Sequence, residues 1–261
     1  MKEKIIACKL KFAHFVLDAE NLFRKIHCLF FGEEICVSCG KSSGIIPICS
    51  SCQKNLIVNE EIERCKNCGK ILLSEIDFCT DCRNERILKN VDYVIPLIPY
   101  RIWKKNLLFE WKSEEKRTLS PFFAKLIFEK LKEIFKEEGE NLPVVLVPPR
   151  PGKIKKKGWD QIDELGNFLK KLYGIKILKV LDRLTKYQQK KLTRKLRLEQ
   201  IQKAYVIKKQ NKIKKFYKSV PETVILLDDV LTTGSTLESC AEELKKANVK
   251  KVIALTLFIV D

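Results

Sequence analysis

Between residues 36 and 82 the chain places eight of its 11 cysteines in four Cys-x-x-Cys pairs, Cys36/Cys39, Cys49/Cys52, Cys65/Cys68 and Cys79/Cys82. The segment around them is rich in turn residues and has too few apolar runs to close a core of its own. A metal ion replaces that core. A Cys-x-x-Cys turn presents two thiolates from one knuckle, and two knuckles complete a tetrahedral zinc site. Paired in order, Cys36, Cys39, Cys49 and Cys52 hold one ion, and Cys65, Cys68, Cys79 and Cys82 hold a second. The crossed arrangement, first knuckle with third, satisfies the same spacing. Gly40 and Gly69 follow the second cysteine of their knuckles, where a tight turn favours glycine. With all four corners taken by sulfur, neither zinc has an open position, so both are expected to be structural. The alternative, a redox-active pair, asks for a single reactive pair on a packed scaffold.

The N-terminal residues do not read as a leader peptide, because Lys9, Lys11, Asp18, Glu20 and Arg24 interrupt any apolar stretch. No apolar run is long enough to span a bilayer. A cytoplasmic protein without membrane insertion is expected, with thiols kept reduced. Residues 3–27 predict an amphipathic helix packed on the protein's own body. Cys8 and Cys28 flank it as free thiols, and Cys240 belongs to an apolar helix face.

From Val91 onward strands and helices alternate. "YVIPLIPY" predicts a strand whose prolines suit an edge or an irregular strand. Ser120-Pro121 predicts the start of a helix whose apolar face includes Phe122, Phe123, Ile127 and Leu131. Val144–Val147 predicts a buried strand, residues 160–172 a helix, Ile175–Leu181 a strand, Val224–Asp228 a strand and Val252–Val260 a closing strand. Leu237, Cys240, Ala241 and Leu244 share one helical face. This alternation predicts an α/β domain built on a mostly parallel sheet. The 261 residues suffice for that domain and a smaller one.

The stretch "VILLDDVLTTGSTL", Val224–Leu237, carries the chemistry. An apolar strand ends in Asp228 and Asp229, and Thr232, Thr233, Gly234, Ser235 and Thr236 follow before a helix begins. Such a loop offers backbone N–H groups, hydroxyls and the positive end of a helix dipole to one small anion. Adjacent carboxylates would repel a bare phosphate. A ribose between them resolves this: its 5′-phosphate sits in the loop and its hydroxyls donate to the acids, with magnesium nearby. A P-loop is excluded, because no GxxxxGK[ST] string occurs.

This stretch resembles the phosphoribosyl pyrophosphate (PRPP) motif of type I phosphoribosyltransferases. Across nearly the whole chain the pattern is similar to one branch, the ComF family of competence proteins, in which a double zinc ribbon precedes the transferase-like domain. "LVPPRPGKIKKKGWDQ" resembles the proline-rich strand end and the R-G-F-N-Q stretch of that family, with Gly158 and Gln161 matching and Lys157, Trp159 and Asp160 departing. "LDRLTKYQQKKLTRKLRLEQIQKAY" resembles its L-x-R segment, with matches at Arg183, Leu192, Arg197 and Ala204. The resemblance implies helices on both faces of the sheet. It implies three parts, an N-terminal helix over 1–30, the double zinc ribbon over 31–88 and the transferase-like domain over 89–261. It also implies PRPP or a related ribose-5-phosphate as ligand. Asp228 and Asp229 are then catalytic, and Arg150 and Lys157 bind the pyrophosphate with Arg183 and Arg197 as further candidates.

The formal charge of +18 is concentrated: residues 150–218 hold 23 basic and five acidic side chains, and the remaining 28 of each cancel. Tyr187, Phe216 and Tyr217 lie among these bases, a pattern suited to single-stranded nucleic acid; a solvated Lys-rich surface is the plainer explanation. The family resemblance points to single-stranded DNA during natural transformation and to DNA-uptake proteins as partners. Two other functions fit the same residues: a non-catalytic PRPP sensor that binds nucleic acid or protein, and a salvage transferase for a free base.

Overall fold

The computed structural model describes residues 34–44, 46–57, 63–86, 88–100, 104–184, 204–209 and 218–260. The helix expected over 3–27, Cys8, Cys28, Tyr187, Leu192, Arg197, Phe216 and Tyr217 lie outside the described residues. In chain order the elements are β1 (Glu34–Ile35), β2 (Ser42–Gly44), α1 (Ser50–Ile57), α2 (Thr80–Asn84), β3 (Tyr93–Pro99), α3 (Lys104–Lys112), a 3₁₀ turn (Arg117–Leu119) and α4 (Ser120–Glu138). They continue with β4 (Val144–Leu146), α5 (Lys153–Lys157), α6 (Gln161–Tyr173), β5 (Ile177–Leu178), β6 (Leu181–Arg183), β7 (Tyr205–Ile207), β8 (Thr223–Leu231), α7 (Ser235–Lys246) and β9 (Lys251–Ile259).

Five strands form a parallel sheet in the order β3-β9-β8-β4-β5. The near-continuous apolar runs of β4, β8 and β9 suit strands covered on both faces. β3 lies at the edge and pairs with β9 alone, which leaves room for Pro96 and Pro99. On one face α3, α4 and α6 bring Trp111, Phe123, Ile127, Leu165 and Leu169 against Ile225, Leu227, Ile253 and Leu255. On the other, α7 brings Leu237, Cys240, Ala241 and Leu244 against Val224, Leu226, Val252 and Ala254. Each large side chain buried this way stabilises the fold by roughly 1.5–3 kcal/mol.

Four elements differ from expectation. Ser120 caps nothing: the 3₁₀ turn runs straight into α4, and the buried Ser120 hydroxyl accepts from Trp111 Nε1 at 2.8 Å and donates to Glu164. The expected strand Ile175–Leu181 breaks in two, because β6 leaves the main sheet to pair antiparallel with β7. β8 continues three residues past Asp228, still in register with β9. Helix α3 carries no strong apolar period; Leu107, Leu108 and Trp111 are buried by tertiary packing.

The first pair of knuckles joins the main core, where Cys36, Ile48, Cys52 and Leu56 share a cluster with Leu107 and Trp111. The second pair forms a small cluster of its own with Leu72 and Phe78. It is tied to the linker by Asn67 Nδ2, which donates to the Leu88 carbonyl at 2.8 Å. It also rests on the sheet edge. At Gly69, with φ of +74°, an added Cβ would lie 2.9 Å from Pro96 Cδ, so no other residue fits that turn without displacing β3.

Candidate functional site

The cysteines assemble in sequential pairs: Cys36, Cys39, Cys49 and Cys52 form one quartet and Cys65, Cys68, Cys79 and Cys82 the other, each with its sulfurs within 4.8 Å of one another. The crossed arrangement is not the one adopted. Zn–S bonds of about 2.3 Å require sulfurs about 3.8 Å apart at tetrahedral corners. Cys39 and Cys49 Sγ are 3.7 Å apart and Cys68 and Cys79 Sγ 3.6 Å, so the donor set fits zinc. Each quartet also holds one thiol poised to ionise. Burial opposes ionisation of Cys36, but backbone hydrogen bonds at Cys49, Cys39 and Ser38 bring its pKa down to about 6. The same balance brings Cys65 to about 7. Burial pushes Cys52 and Cys82 up to about 12, so a cation must draw the remaining protons off.

The second site follows from topology. From β4 the chain crosses through α5 and α6 to β5 at one edge, while from β8 it crosses through α7 on the opposite face to β9. Neighbouring strands β4 and β8 thus send their following loops in opposite directions, which opens a crevice at their carboxyl ends. The β8 loop holds Thr232 and Thr233, both exposed, then Gly234, whose left-handed backbone (φ 76°) starts the 12-residue helix α7. The Thr233 and Ser235 hydroxyls lie 2.9 Å apart, and Ser235 and Thr236 are half-buried in the first turn. Glu238, one turn further, accepts from the backbone N–H groups of Lys89 and Asn90 at 2.9 and 3.0 Å, which ties this helix to the linker from the second cysteine quartet.

The two aspartates are not equivalent. Because β8 continues through them, its alternation turns them to opposite faces. Asp228 is buried on the α7 side, near Tyr205 and Cys240, with its Oδ1 accepting from the Asp229 N–H at 2.8 Å. Burial, and after it the Asp229 charge, pushes the Asp228 carboxyl up to about 7. Its register partner Thr256 has a buried hydroxyl without a hydrogen-bond partner among the described residues. Asp229 faces the other way and forms an ion pair of 2.7 Å with Lys112 at the end of α3. Burial works against the Lys112 ammonium, but Asp229, with Asp228 and Asp160 behind it, outweighs that and raises its pKa. Lys112 escaped the sequence analysis, since a lone lysine in "FEWKSEE" carries no signal of its own.

After β4, Pro148, Pro149 and Arg150 line a separate cleft of about 410 Å³ with Lys155, Arg183 and Lys208, and neither aspartate nor the Thr232–Thr236 loop lines it. Arg150 is exposed and makes no ion pair among the described residues. Lys157 lies elsewhere, at the far end of α5, paired with Glu115 at 2.9 Å. Gln161 is buried, accepts from Lys153, and donates toward the Lys112 carbonyl at 3.5 Å. Arg183 stacks over the Tyr205 ring with 5.4 Å to its centroid, and Ala204 is fully buried beside it. No described helix is long and apolar enough to cross a membrane.

Residues 176–260 match the phosphoribosyl transferase domain family. The matched span includes both aspartates and the loop after them and leaves out Lys112, Arg150 and both cysteine quartets. Over 209 residues the chain is 23% identical to competence protein F of Haemophilus influenzae, covering 78% of this chain and 87% of that protein. Over 216 residues it is 26% identical to competence protein ComFC of Streptococcus pneumoniae, covering 80% and 86%.

Proposed function

We propose that this chain, similar to two competence proteins and matched over residues 176–260 by the phosphoribosyl transferase domain family, binds PRPP or a related ribose 5-phosphate in the crevice between β4 and β8. One observation carries this: the loop Thr232–Thr236 opens a 12-residue helix at the switch point, directly after Asp228 and Asp229. The 5′-phosphate lies on the loop's amides and hydroxyls, where the helix dipole favours it. The ribose hydroxyls donate to Asp229, with Asp228 buried behind it on the α7 side, and Arg150 faces the pyrophosphate from the β4 side. Magnesium fits beside Asp229, an oxygen donor for a hard cation, and when bound it supplies positive charge to the pyrophosphate oxygens. Lys157, engaged by Glu115 away from this crevice, is left out of the site. In this reading residues 31–88 and 89–261 are the double zinc ribbon and the transferase-like domain. The printed names of both relatives carry competence, and the basic segment 150–218 suits single-stranded DNA, so the protein supports DNA uptake and handling of imported strands.

Calorimetric titration with PRPP and magnesium tests the site. Wild-type protein is expected to bind, and Asp228→Ala with Asp229→Ala to lose binding while keeping its zinc. Undiminished binding by the double variant sinks the site. A second reading, a sensor without turnover, is favoured by the state of the carboxylates. Asp228 is buried and Asp229 is engaged by Lys112, so neither is free to take a proton from an acceptor. Pyrophosphate release from PRPP in the presence of bases, nucleosides and single strands separates the two.

A further inference from the structure

Lys112 comes from α3, outside the matched domain, yet among the described residues it is the ion-pair partner of Asp229, at 2.7 Å. An ammonium has three N–H donors, and Asp229 occupies one. The Lys112 side chain is 41% exposed, so the remaining donors have room for a ligand atom. Its position is fixed from behind. The preceding residue, Trp111, is fully buried in the main core and donates to Ser120, and the Lys112 carbonyl faces the buried Gln161 amide. A flexible lysine stem is thereby given a rigid root.

We propose that Lys112 is a specificity-determining residue of the crevice: it neutralises Asp229 and donates to the anionic group on C1 of the bound ribose, so that the site prefers a 1-pyrophosphate over a free sugar phosphate. This rests on the ribose-phosphate reading given above. The charge logic is direct. Without Lys112, the Asp229 carboxylate, with Asp228 next to it, would repel a ligand that is anionic at both ends of the sugar. The loop after β8 answers the charge at the 5′ end, but it cannot reach around the ribose to C1. Lys112 lies against the carboxylate that takes the ribose hydroxyls, next to the carbon that bears the pyrophosphate. Arg150, exposed in the loop after β4, is a second cation available to the C1 anion.

Calorimetry of wild-type, Lys112→Met and Lys112→Arg proteins with PRPP and, separately, ribose 5-phosphate tests this, with magnesium present throughout. For Lys112→Met, PRPP affinity is expected to fall by about tenfold to a hundredfold, the loss typical of one charge-assisted hydrogen bond. Ribose 5-phosphate affinity is expected to change by less than about threefold, and Lys112→Arg to retain most of the PRPP affinity. Thermal melts and zinc content confirm that the variants fold. An equal loss for both ligands, or no loss for either, overturns the Lys112 proposal and leaves the ribose-phosphate reading intact. A wild-type protein that binds neither ligand overturns that reading and this proposal together.

Discussion

At Asp228 a carboxyl is buried against α7 with a second carboxylate next to it in sequence, and both facts favour its protonated form. Its folded pKa of about 7 lies above the value of about 4 in an unfolded chain. The folded protein therefore binds this proton more tightly. The stabilisation is complete below about pH 4 and disappears as pH rises through about 7. Between pH 6 and pH 8 the wild-type protein is expected to lose roughly 1 kcal/mol of stability on this account, and Asp228→Asn to show no such decline. Urea unfolding of both proteins at the two pH values checks it; parallel curves would contradict the assignment. Asp229 is governed differently, because Lys112 compensates its charge. Adjacent letters in the sequence thus acquire different chemistry from the face of the strand each occupies.

Among the elements, the two cysteine quartets look alike in spacing but have different attachments. The first shares its apolar cluster with α3 and α4, so Cys36 and Cys52 pack with Trp111 and Phe123. The second encloses a cluster of its own and meets the rest through Asn67, Gly69 and the linker to Glu238. Cys36→Ser and Cys65→Ser are each expected to lower the zinc content from about two to about one per chain. Their effects on stability should differ. Loss of the first site should cost the α/β domain roughly 2 kcal/mol or more, while loss of the second should leave its main unfolding transition nearly unchanged. Metal analysis with chemical denaturation measures both, and equal destabilisation would mean that the second quartet also supports the main core.

For the whole molecule the question is where the excess positive charge goes. Within residues 150–183 many cations are already paired: Lys153 with Asp160, Lys157 with Glu115 and Lys179 with Asp163. Exposed Arg150, Lys155, Lys156 and Lys171 make no ion pair among the described residues. If these four meet phosphates of a single strand, log affinity should fall with log salt with a slope of about −3, and Lys155→Ala with Lys156→Ala should reduce that slope by about half. Binding indifferent to salt would remove the electrostatic model. The sequence by itself determined the elements whose chemistry is local. Cys-x-x-Cys knuckles, an apolar strand running into acids, and a hydroxyl-rich loop opening a helix each depend on neighbours a few residues apart. Only the tertiary structure decided which knuckles pair and that β8 outlasts its acids, which turns Asp228 toward α7 and Asp229 toward α3. It also decided that Lys112, 117 residues before Asp229 in the chain, neutralises that carboxylate. Those outcomes depend on contacts between distant segments, and the energy of such contacts leaves no periodicity or spacing in the sequence to be read.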